Sequence, residues 1–111
     1  MNIPFSPPDI TEEEIEAVAE VMRSGWITTG PKTKELERKM AEFTHTNRGV
    51  CLNSATSCME MALRLFEIGP GDEVIVPAYT YTASASVVCH VGATLRLVDV
   101  EKGTFHIDYA A

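Results

Sequence analysis

The sequence predicts an α/β fold in which parallel strands alternate with crossover helices. Residues 50–52, 74–76 and 94–98 are short strand-like runs, and segments with helical periodicity separate them. The chain has 111 residues, of which 45% are hydrophobic and 23% charged, as in a single globular domain. The resulting β-α-β-α-β order implies right-handed crossovers, with ligands bound at the carboxyl ends of the strands.

Two helices are predicted before the first strand. Thr11 begins the first helix as a capping box with Glu14, and Ser24-Gly25 ends it. A loop from Trp26 follows, and Pro31 suits the first turn of the second helix. Each helix has an apolar face: Ile15, Val18, Ala19 and Met22 share one face of the first, and Leu36, Met40 and Phe43 form the predicted buried stripe of the second.

The remaining elements follow from apolar runs and turn residues. Residues 50–52 lie between Gly49 and Asn53, as expected for a buried parallel strand. The helix over residues 55–66 is apolar nearly all round, so we expect it to be deeply buried. The Gly69-Pro70-Gly71-Asp72 turn precedes the strand over 74–76, which Pro77 closes, and a helix over 82–89 leads to the strand over 94–98.

Charge and cysteine content exclude several classes of function. A net charge of −7 argues against nucleic acid and anionic membrane partners, which require clustered Lys and Arg. No run approaches the roughly 20 apolar residues of a membrane span, and the N-terminus has no basic or apolar leader, which predicts a cytoplasmic protein. Cys51, Cys58 and Cys89 lack CxxC or Cys/His spacing, so we expect reduced thiols and no metal site.

The segment Asn53-Ser54-Ala55-Thr56-Ser57 lies at a predicted strand-to-helix junction. Free backbone N–H groups there, together with the hydroxyl groups of Ser54, Thr56 and Ser57, form a suitable cradle for a phosphate. The alternative is that Ser54 or Thr56 only caps the helix. The sequence contains no GxxxxGK[ST] or GxGxxG pattern, which disfavours a nucleoside triphosphate or a dinucleotide as the ligand.

Aromatic residues follow the next predicted strand. Tyr79 and Tyr81 come directly after Pro77, and either ring could lie against a planar ligand at the edge of the sheet. The alternative is ordinary packing, because aromatic residues are common at strand ends. Trp26 either anchors its loop to the core or lines a site. His90 ends a predicted helix, which favours a cation there rather than a catalytic pair with Cys89.

Four segments together give the chain a family resemblance: SGWITTGPKTKELE, NSATSCMEMAL, GPGDEVIVPAYTYTASASVV and GATLRLVDVEKGTFHID. They resemble the N-terminal part of the DegT/StrS-type sugar aminotransferases, which depend on pyridoxal 5'-phosphate. The GWITTGPK and NSAT segments are most similar to members that make 4-amino-4-deoxy-arabinose on its UDP carrier. The resemblance implies a three-layer α/β fold, the large domain of fold type I transferases. It also implies that Thr56 and Ser57 hold the cofactor phosphate and that Tyr81 stacks on the pyridine ring.

The resemblance also implies what residues 1–111 lack. In this family the Schiff-base lysine and the aspartate that pairs with the pyridinium nitrogen both lie downstream of the matched region. None of Lys32, Lys34, Lys39 and Lys102 matches the lysine motif. We therefore expect an incomplete N-terminal portion of a large domain, without a catalytic residue of its own and inactive as given.

The complete enzyme would use a nucleotide-linked sugar and an amino-acid donor, and we expect a homo-oligomer. Two alternatives remain open at this point: a pyridoxal-phosphate sugar dehydratase, in which histidine replaces the lysine, and a non-catalytic binding or assembly module. In the family fold the strand over 50–52 lies far from the next two strands. It would therefore lack a neighbour in this chain and expose unpaired backbone edges. We expect a rearranged three-stranded sheet, a swapped or aggregated oligomer, or a chain that is stable only with its missing partner.

Overall fold

A computed structural model describes residues 3–110 of the chain. The chain divides into two compact units, Met1–Cys51 and Leu52–Ala111, which we describe separately. The first unit is helical and the second contains the sheet. None of the helices described is long and apolar enough to cross a membrane.

The first unit contains α1 (Glu12–Arg23) and α2 (Pro31–Phe43). The Thr11 hydroxyl accepts the Glu13 N–H at 3.2 Å, and the Thr11 N–H donates to the Glu14 carboxylate at 2.6 Å. The predicted capping box is therefore confirmed. Pro31 occupies the first turn of α2, as predicted.

The predicted burial of the α2 stripe is wrong. Leu36, Met40 and Phe43 are 52%, 47% and 81% exposed, and Ala41 is the one buried residue in α2. The reason is that, within the first unit, α1 and α2 barely contact each other, so neither helix covers the apolar face of the other. The apolar face of α1 is exposed for the same reason.

The second unit contains α3 (Ala55–Leu65), β1 (Glu73–Pro77), α4 (Thr82–His90) and β2 (Thr94–Val98). β1 and β2 pair in parallel, from Glu73 opposite Thr94 to Pro77 opposite Val98, and α4 is the crossover between them. The predicted α/β fold with parallel strands is therefore confirmed. The core combines α3, α4 and both strands, and contains Val76, Val88, Val91 and Ala93, with Leu63, Ile68, Val74 and Leu95 packed against them.

A glycine turn connects α4 to β2. Gly92 has φ of +80°, its N–H donates to the Cys89 carbonyl at 3.0 Å, and the Ala93 N–H donates to the Val88 carbonyl at 3.2 Å. This pair of bonds is a Schellman motif, which ends the helix and favours glycine at the left-handed position. The turn places Ala93 in the core and lets Thr94 begin β2 beside β1.

The prediction of a strand over residues 50–52 is wrong. The segment is outside the two-stranded sheet, and Val50 is 74% exposed. The expected rearrangement into a three-stranded sheet is therefore wrong as well. A strand needs a neighbour for its backbone groups, and none of residues 3–110 supplies one. The Cys51 N–H donates instead to the Glu37 carboxylate at 3.0 Å.

The deep burial predicted for α3 is also wrong. No residue of α3 is buried, Leu65 is 76% exposed, and the helix ends at Leu65 rather than at Phe66. Only one side of α3 has an element to pack against, because α4 contacts it and the opposite side faces no other part of this unit.

Val88 is the most buried residue of the core, at 1% exposure. We expect Val88→Ala to lower the free energy of unfolding by about 2 kcal/mol, since it removes two buried carbons and leaves a cavity. Urea unfolding followed by circular dichroism measures the change. Leu65→Ala, at a position 76% exposed, is the control and should change stability by less than about 0.5 kcal/mol. Equal losses in the two variants would contradict this description of the core.

Candidate functional site

The N-terminal end of α3 carries a chain of hydrogen-bonded polar side chains. Ser54 is the N-cap, and its Oγ accepts the Ser57 N–H at 3.1 Å. The Ser54 hydroxyl donates to Ser57 Oγ at 3.0 Å, and the Ser57 hydroxyl donates to Asn53 Oδ1 at 2.7 Å. Ser54 therefore caps the helix, as one of the two sequence interpretations predicted. Thr56 and Ser57 are half-buried beside it.

The electrostatics of this helix end favour an anion. The positive end of the helix dipole lies here, and the first turn of α3 contains no acidic residue. Within residues 3–110 no hydrogen bond uses the Ala55 or Thr56 N–H. α1 differs, because Glu12, Glu13 and Glu14 already occupy its first turn. An anion at the start of α3 would meet free N–H donors and no carboxylate in the first turn of the helix.

Glu60 lies one turn further along α3 and connects it to α4. Its carboxylate accepts from Arg64 Nη2 at 2.8 Å and from Arg64 Nε at 3.0 Å, and it lies 2.9 Å from His90 Nδ1. The hydrogen bonds from Arg64, and then that from His90, lower the pKa of Glu60 below its usual value. Ser57, Glu60, Met61 and Arg64 line a shallow cavity of about 230 Å³.

The second candidate region is the loop over residues 78–81 at the carboxyl end of β1. The Ala78 N–H donates to the Val98 carbonyl at 2.7 Å, which extends the sheet ladder into the loop. Tyr79 stacks on Phe105, with ring centroids 5.0 Å apart and planes inclined by 22°. Tyr81 is the N-cap residue of α4 and is 81% exposed. Among residues 3–110 the Tyr81 ring has no aromatic partner.

These residues do not form a single cavity in the part of the chain that is described. Thr56 and Ser57 lie together at the start of α3, whereas Tyr81 lines a separate depression formed by residues 78–81. Ser57 is the third residue of α3 and Tyr81 is the N-cap of α4, so both lie at the N-terminal end of a helix in the same unit.

Trp26 anchors its loop locally and borders a cavity. The anchoring to the core that one sequence interpretation expected is wrong, because the indole is 58% exposed and bonds within the loop itself. Its indole Nε1 donates to the Thr29 carbonyl at 2.9 Å, and the ring packs over Gly30. A Cβ at position 30 would lie 2.3 Å from Trp26 Cδ1. The cavity beside it measures about 290 Å³, and its lining includes Val21 and Thr28.

The lysines occupy surface positions. Lys32, Lys34 and Lys39 lie on α2, where Lys39 pairs with Glu35 at 2.8 Å and Lys32 lies 3.7 Å from Glu20. Within residues 3–110 no three His, Cys, Asp or Glu side chains are grouped as metal ligands. Cys51, Cys58 and Cys89 are free thiols.

Sequence reasoning missed three contributors to these regions. The i,i+4 spacing of Glu60 and Arg64 signals their ion pair, but nothing local indicates His90 as a further partner. Phe105 is distant in sequence from Tyr79, and no periodicity connects them. Gly30 lies directly before Pro31, and its sequence context indicates a loop but not the contact with the Trp26 ring.

The parallel pair of strands with its crossover helix matches the N-terminal part of a fold type I pyridoxal-phosphate-dependent aminotransferase. Residues 8–111 match the DegT/DnrJ/EryC1/StrS aminotransferase family. The chain belongs to this family. Aminotransferases of the family use pyridoxal 5'-phosphate as cofactor.

Solved structures agree with this assignment. One of them is Spr1654 from Streptococcus pneumoniae, which is described as a sugar aminotransferase and was solved in apo, PLP and PMP forms. Its apo and PLP forms are 64% identical in sequence to this chain, with a TM-score of 0.91. The match covers 99% of this chain and 28% of Spr1654. DesV from S. venezuelae is 38% identical, with a TM-score of 0.79 over 87% of this chain and 26% of its own. The chain thus spans little more than a quarter of these relatives.

A further neighbour shares the fold. GDP-4-keto-6-deoxymannose-3-dehydratase is 23% identical, with a TM-score of 0.86 over 96% of this chain and 29% of its own. At this identity the likeness concerns the fold alone.

Gly30→Ala should displace the single tryptophan of the chain, because the added Cβ overlaps the indole ring. We expect the Trp26 emission to shift to longer wavelength and acrylamide quenching to increase as the ring moves into solvent. Ile27→Ala, at a neighbouring position that is 76% exposed, should leave both unchanged. An unaltered spectrum for Gly30→Ala would contradict the packing of the indole on Gly30.

Glu60 should make stability depend on pH in the acid range. Its folded pKa is lowered from 4.5, so its contribution is present above pH 4.5 and is lost as the pH falls through the lower, folded value. The free energy of unfolding of Glu60→Gln should therefore differ most from that of the parent chain near pH 6, and this difference should become smaller in acid. Unfolding midpoints between pH 6 and pH 3 measure this. Glu101→Gln, which removes no ion pair described here, is the control; parallel curves for parent and Glu60→Gln would refute the effect.

Proposed function

We propose that this chain is part of a pyridoxal-phosphate-dependent aminotransferase that moves an amino group from an amino-acid donor to the keto group of a nucleotide-linked sugar. The observation that carries the proposal is the N-terminal end of α3, where unused N–H groups and serine and threonine hydroxyls meet no acidic residue. The family assignment supports the same cofactor class.

Thr56 and Ser57 are the proposed ligands of the cofactor phosphate. The helix dipole and charge-assisted hydrogen bonds from backbone N–H groups would stabilise a phosphate dianion there. Among residues 3–110 the Ala55 and Thr56 N–H groups are the free donors for this contact, whereas the Ser57 hydroxyl, which donates to Asn53 Oδ1, would exchange that bond for one to the phosphate. The donor set present therefore fits the phosphate group.

Tyr81 is the proposed stacking residue for the pyridine ring. Its ring is 81% exposed and has no aromatic partner among residues 3–110, whereas one face of Tyr79 is already covered by Phe105. A planar heteroaromatic ring in offset contact with a tyrosine gains both apolar contact and quadrupole interaction. The uncovered ring supports Tyr81, and not Tyr79, as the stacking residue.

Pyridoxal phosphate, when bound, supplies the electron sink and the temporary carrier for the amino group. The residues of this chain bind and orient that group: Thr56 and Ser57 fix one end of it, and Tyr81 fixes the tilt of its plane. Such orientation contributes to rate by holding the reacting atoms in a fixed geometry. No residue of 1–111 is assigned to proton transfer.

We propose further that residues 1–111 are an incomplete N-terminal portion of the large domain and do not catalyse the transfer alone. The match to little more than a quarter of each relative supports this. The surface positions of Lys32, Lys34 and Lys39 support it as well, since a Schiff-base lysine must reach the cofactor.

The subtype, assembly and location belong to the same proposal. The GWITTGPK and NSAT segments support an enzyme that forms 4-amino-4-deoxy-arabinose on a UDP carrier. The exposed apolar faces of α1 and α2 support burial in a larger homo-oligomeric assembly, and the free thiols support a cytoplasmic location.

The coding sequence immediately after Ala111 tests the extent of the protein. We expect an open frame that continues to a lysine following a serine-rich strand end. A histidine at that point would instead favour a sugar dehydratase. A stop codon directly after Ala111 would refute the aminotransferase proposal for this chain and favour a binding or assembly module.

Cofactor titration tests the residue roles in the complete protein. Thr56→Val should weaken pyridoxal phosphate binding about 10-fold, since it removes a hydrogen bond to a charged group, and should leave the affinity for pyridoxal, which has no phosphate, unchanged. Tyr81→Ala should weaken the binding of both compounds. Absorbance changes on titration give the affinities.

Thr94→Val and Tyr109→Ala are the matched controls, because both residues are exposed and lie outside the two candidate regions. Each should bind both compounds like the parent protein. If Thr56→Val weakened pyridoxal and pyridoxal phosphate equally, the assignment of Thr56 to the phosphate would be wrong.

A further inference from the structure

We infer that Phe105 is a positioning residue for the cofactor site: by stacking on Tyr79 it fixes the loop over residues 78–81 and leaves Tyr81 as the available ring. The inference rests on the proposed function, because it concerns which tyrosine meets the pyridine ring. Phe105 lies outside both candidate regions, and its contact with Tyr79 is an aromatic stack.

The pair lies on the surface of the sheet-containing unit. Tyr79 and Phe105 are 67% and 76% exposed, yet their rings lie 5.0 Å apart and close to parallel. Neither ring belongs to the buried core of the unit. Each ring is therefore the main partner of the other, and their contact is not a by-product of core packing.

Phe105 is held by a short hairpin that follows β2. Val100 bridges Ile107 in antiparallel pairing, and the Glu101 N–H donates to the His106 carbonyl at 2.9 Å. The Thr104 N–H donates to the Glu101 carbonyl at 3.0 Å, which closes the turn. Phe105 thus projects from a hydrogen-bonded frame that can hold a ring in place.

Tyr79 lies in the loop whose geometry determines the position of Tyr81. One residue before it, the Ala78 N–H bonds to the Val98 carbonyl, and two residues after it, the Tyr81 carbonyl accepts the Ser84 N–H at 3.0 Å. The loop is therefore fixed by backbone bonds at both ends. Between them, the ring of Tyr79 is the side chain that ties the loop to another part of the unit.

The stack also distinguishes two otherwise similar residues. Tyr79 and Tyr81 both follow Pro77 and both carry a ring suited to a planar ligand. Phe105 covers a face of Tyr79 and has no contact with the ring of Tyr81. Without Phe105, Tyr79 would be free to change rotamer and the loop would lose a constraint, so part of the binding free energy would be spent on ordering it.

The test measures affinities for pyridoxal phosphate and for inorganic phosphate in the complete protein. Phe105→Ala and Tyr79→Ala should each weaken the binding of pyridoxal phosphate about 3- to 10-fold, which is the range expected from the loss of one aromatic pair. The double variant should be no weaker than either single variant, because both remove the same contact. Tyr79→Phe keeps the ring and should bind like the parent. Inorganic phosphate, which needs only the α3 end, should bind equally well to all.

Phe66→Ala and Tyr109→Ala, at positions 78% and 90% exposed, remove comparable rings away from the loop and should not change either affinity. Thermal melts accompany each variant; if Phe105→Ala does not fold, the comparison of Tyr79→Ala with Tyr79→Phe decides the question. An affinity for pyridoxal phosphate within twofold of the parent in Tyr79→Ala, or an equal loss for inorganic phosphate, would overturn the inference.

Failure of the inference and failure of the proposed function give different results. Suppose that the parent binds pyridoxal phosphate and that Tyr81→Ala weakens this binding while Phe105→Ala and Tyr79→Ala do not. The proposed function is then supported, and the positioning role of Phe105 is wrong. If the parent binds no pyridoxal phosphate, both are overturned.

Discussion

The parallel pairing of β1 with β2, with α4 packed across it, is the constraint on which the candidate site depends. Val88 of α4 and Val76 of β1 share one core, and the left-handed Gly92 turns the chain from the helix into β2. The carboxyl ends of both strands therefore lie at one edge of the sheet. The loop that carries Tyr79 and Tyr81 starts at that edge, bonded through Ala78 to the end of β2.

The N-termini of α1 and α3 differ in electrostatic character. At the start of α1 the capping box uses backbone N–H groups, and three glutamates offset the positive end of the helix dipole. The start of α3 has a single serine cap and hydroxyl groups, and it leaves N–H donors unused. The same backbone geometry thus produces a structural helix end in one place and an anion-attracting end in another, and side-chain charge decides between them.

Features that depend on local chemistry were predictable from the sequence, and features that depend on a distant partner were not. The capping box at Thr11, the start of α2 at Pro31 and the turn at Gly92 follow from residues within a few positions of one another. Burial of Phe43 and pairing of residues 50–52 require a facing layer or a neighbouring strand, which local pattern does not reveal. The Ser54 cap was foreseen for the same local reason, whereas the stacking of Phe105 was not.

The register of the sheet has a consequence for the order of folding. Glu73 and Thr94 are paired although about twenty positions separate them, and α4 fills most of that interval. Closing such a short loop costs little chain entropy, and a helix that forms locally shortens it further. During synthesis this strand pair is complete once β2 has emerged, before any later segment is made. It therefore forms early and presents the unpaired backbone groups of its outer edges from that moment.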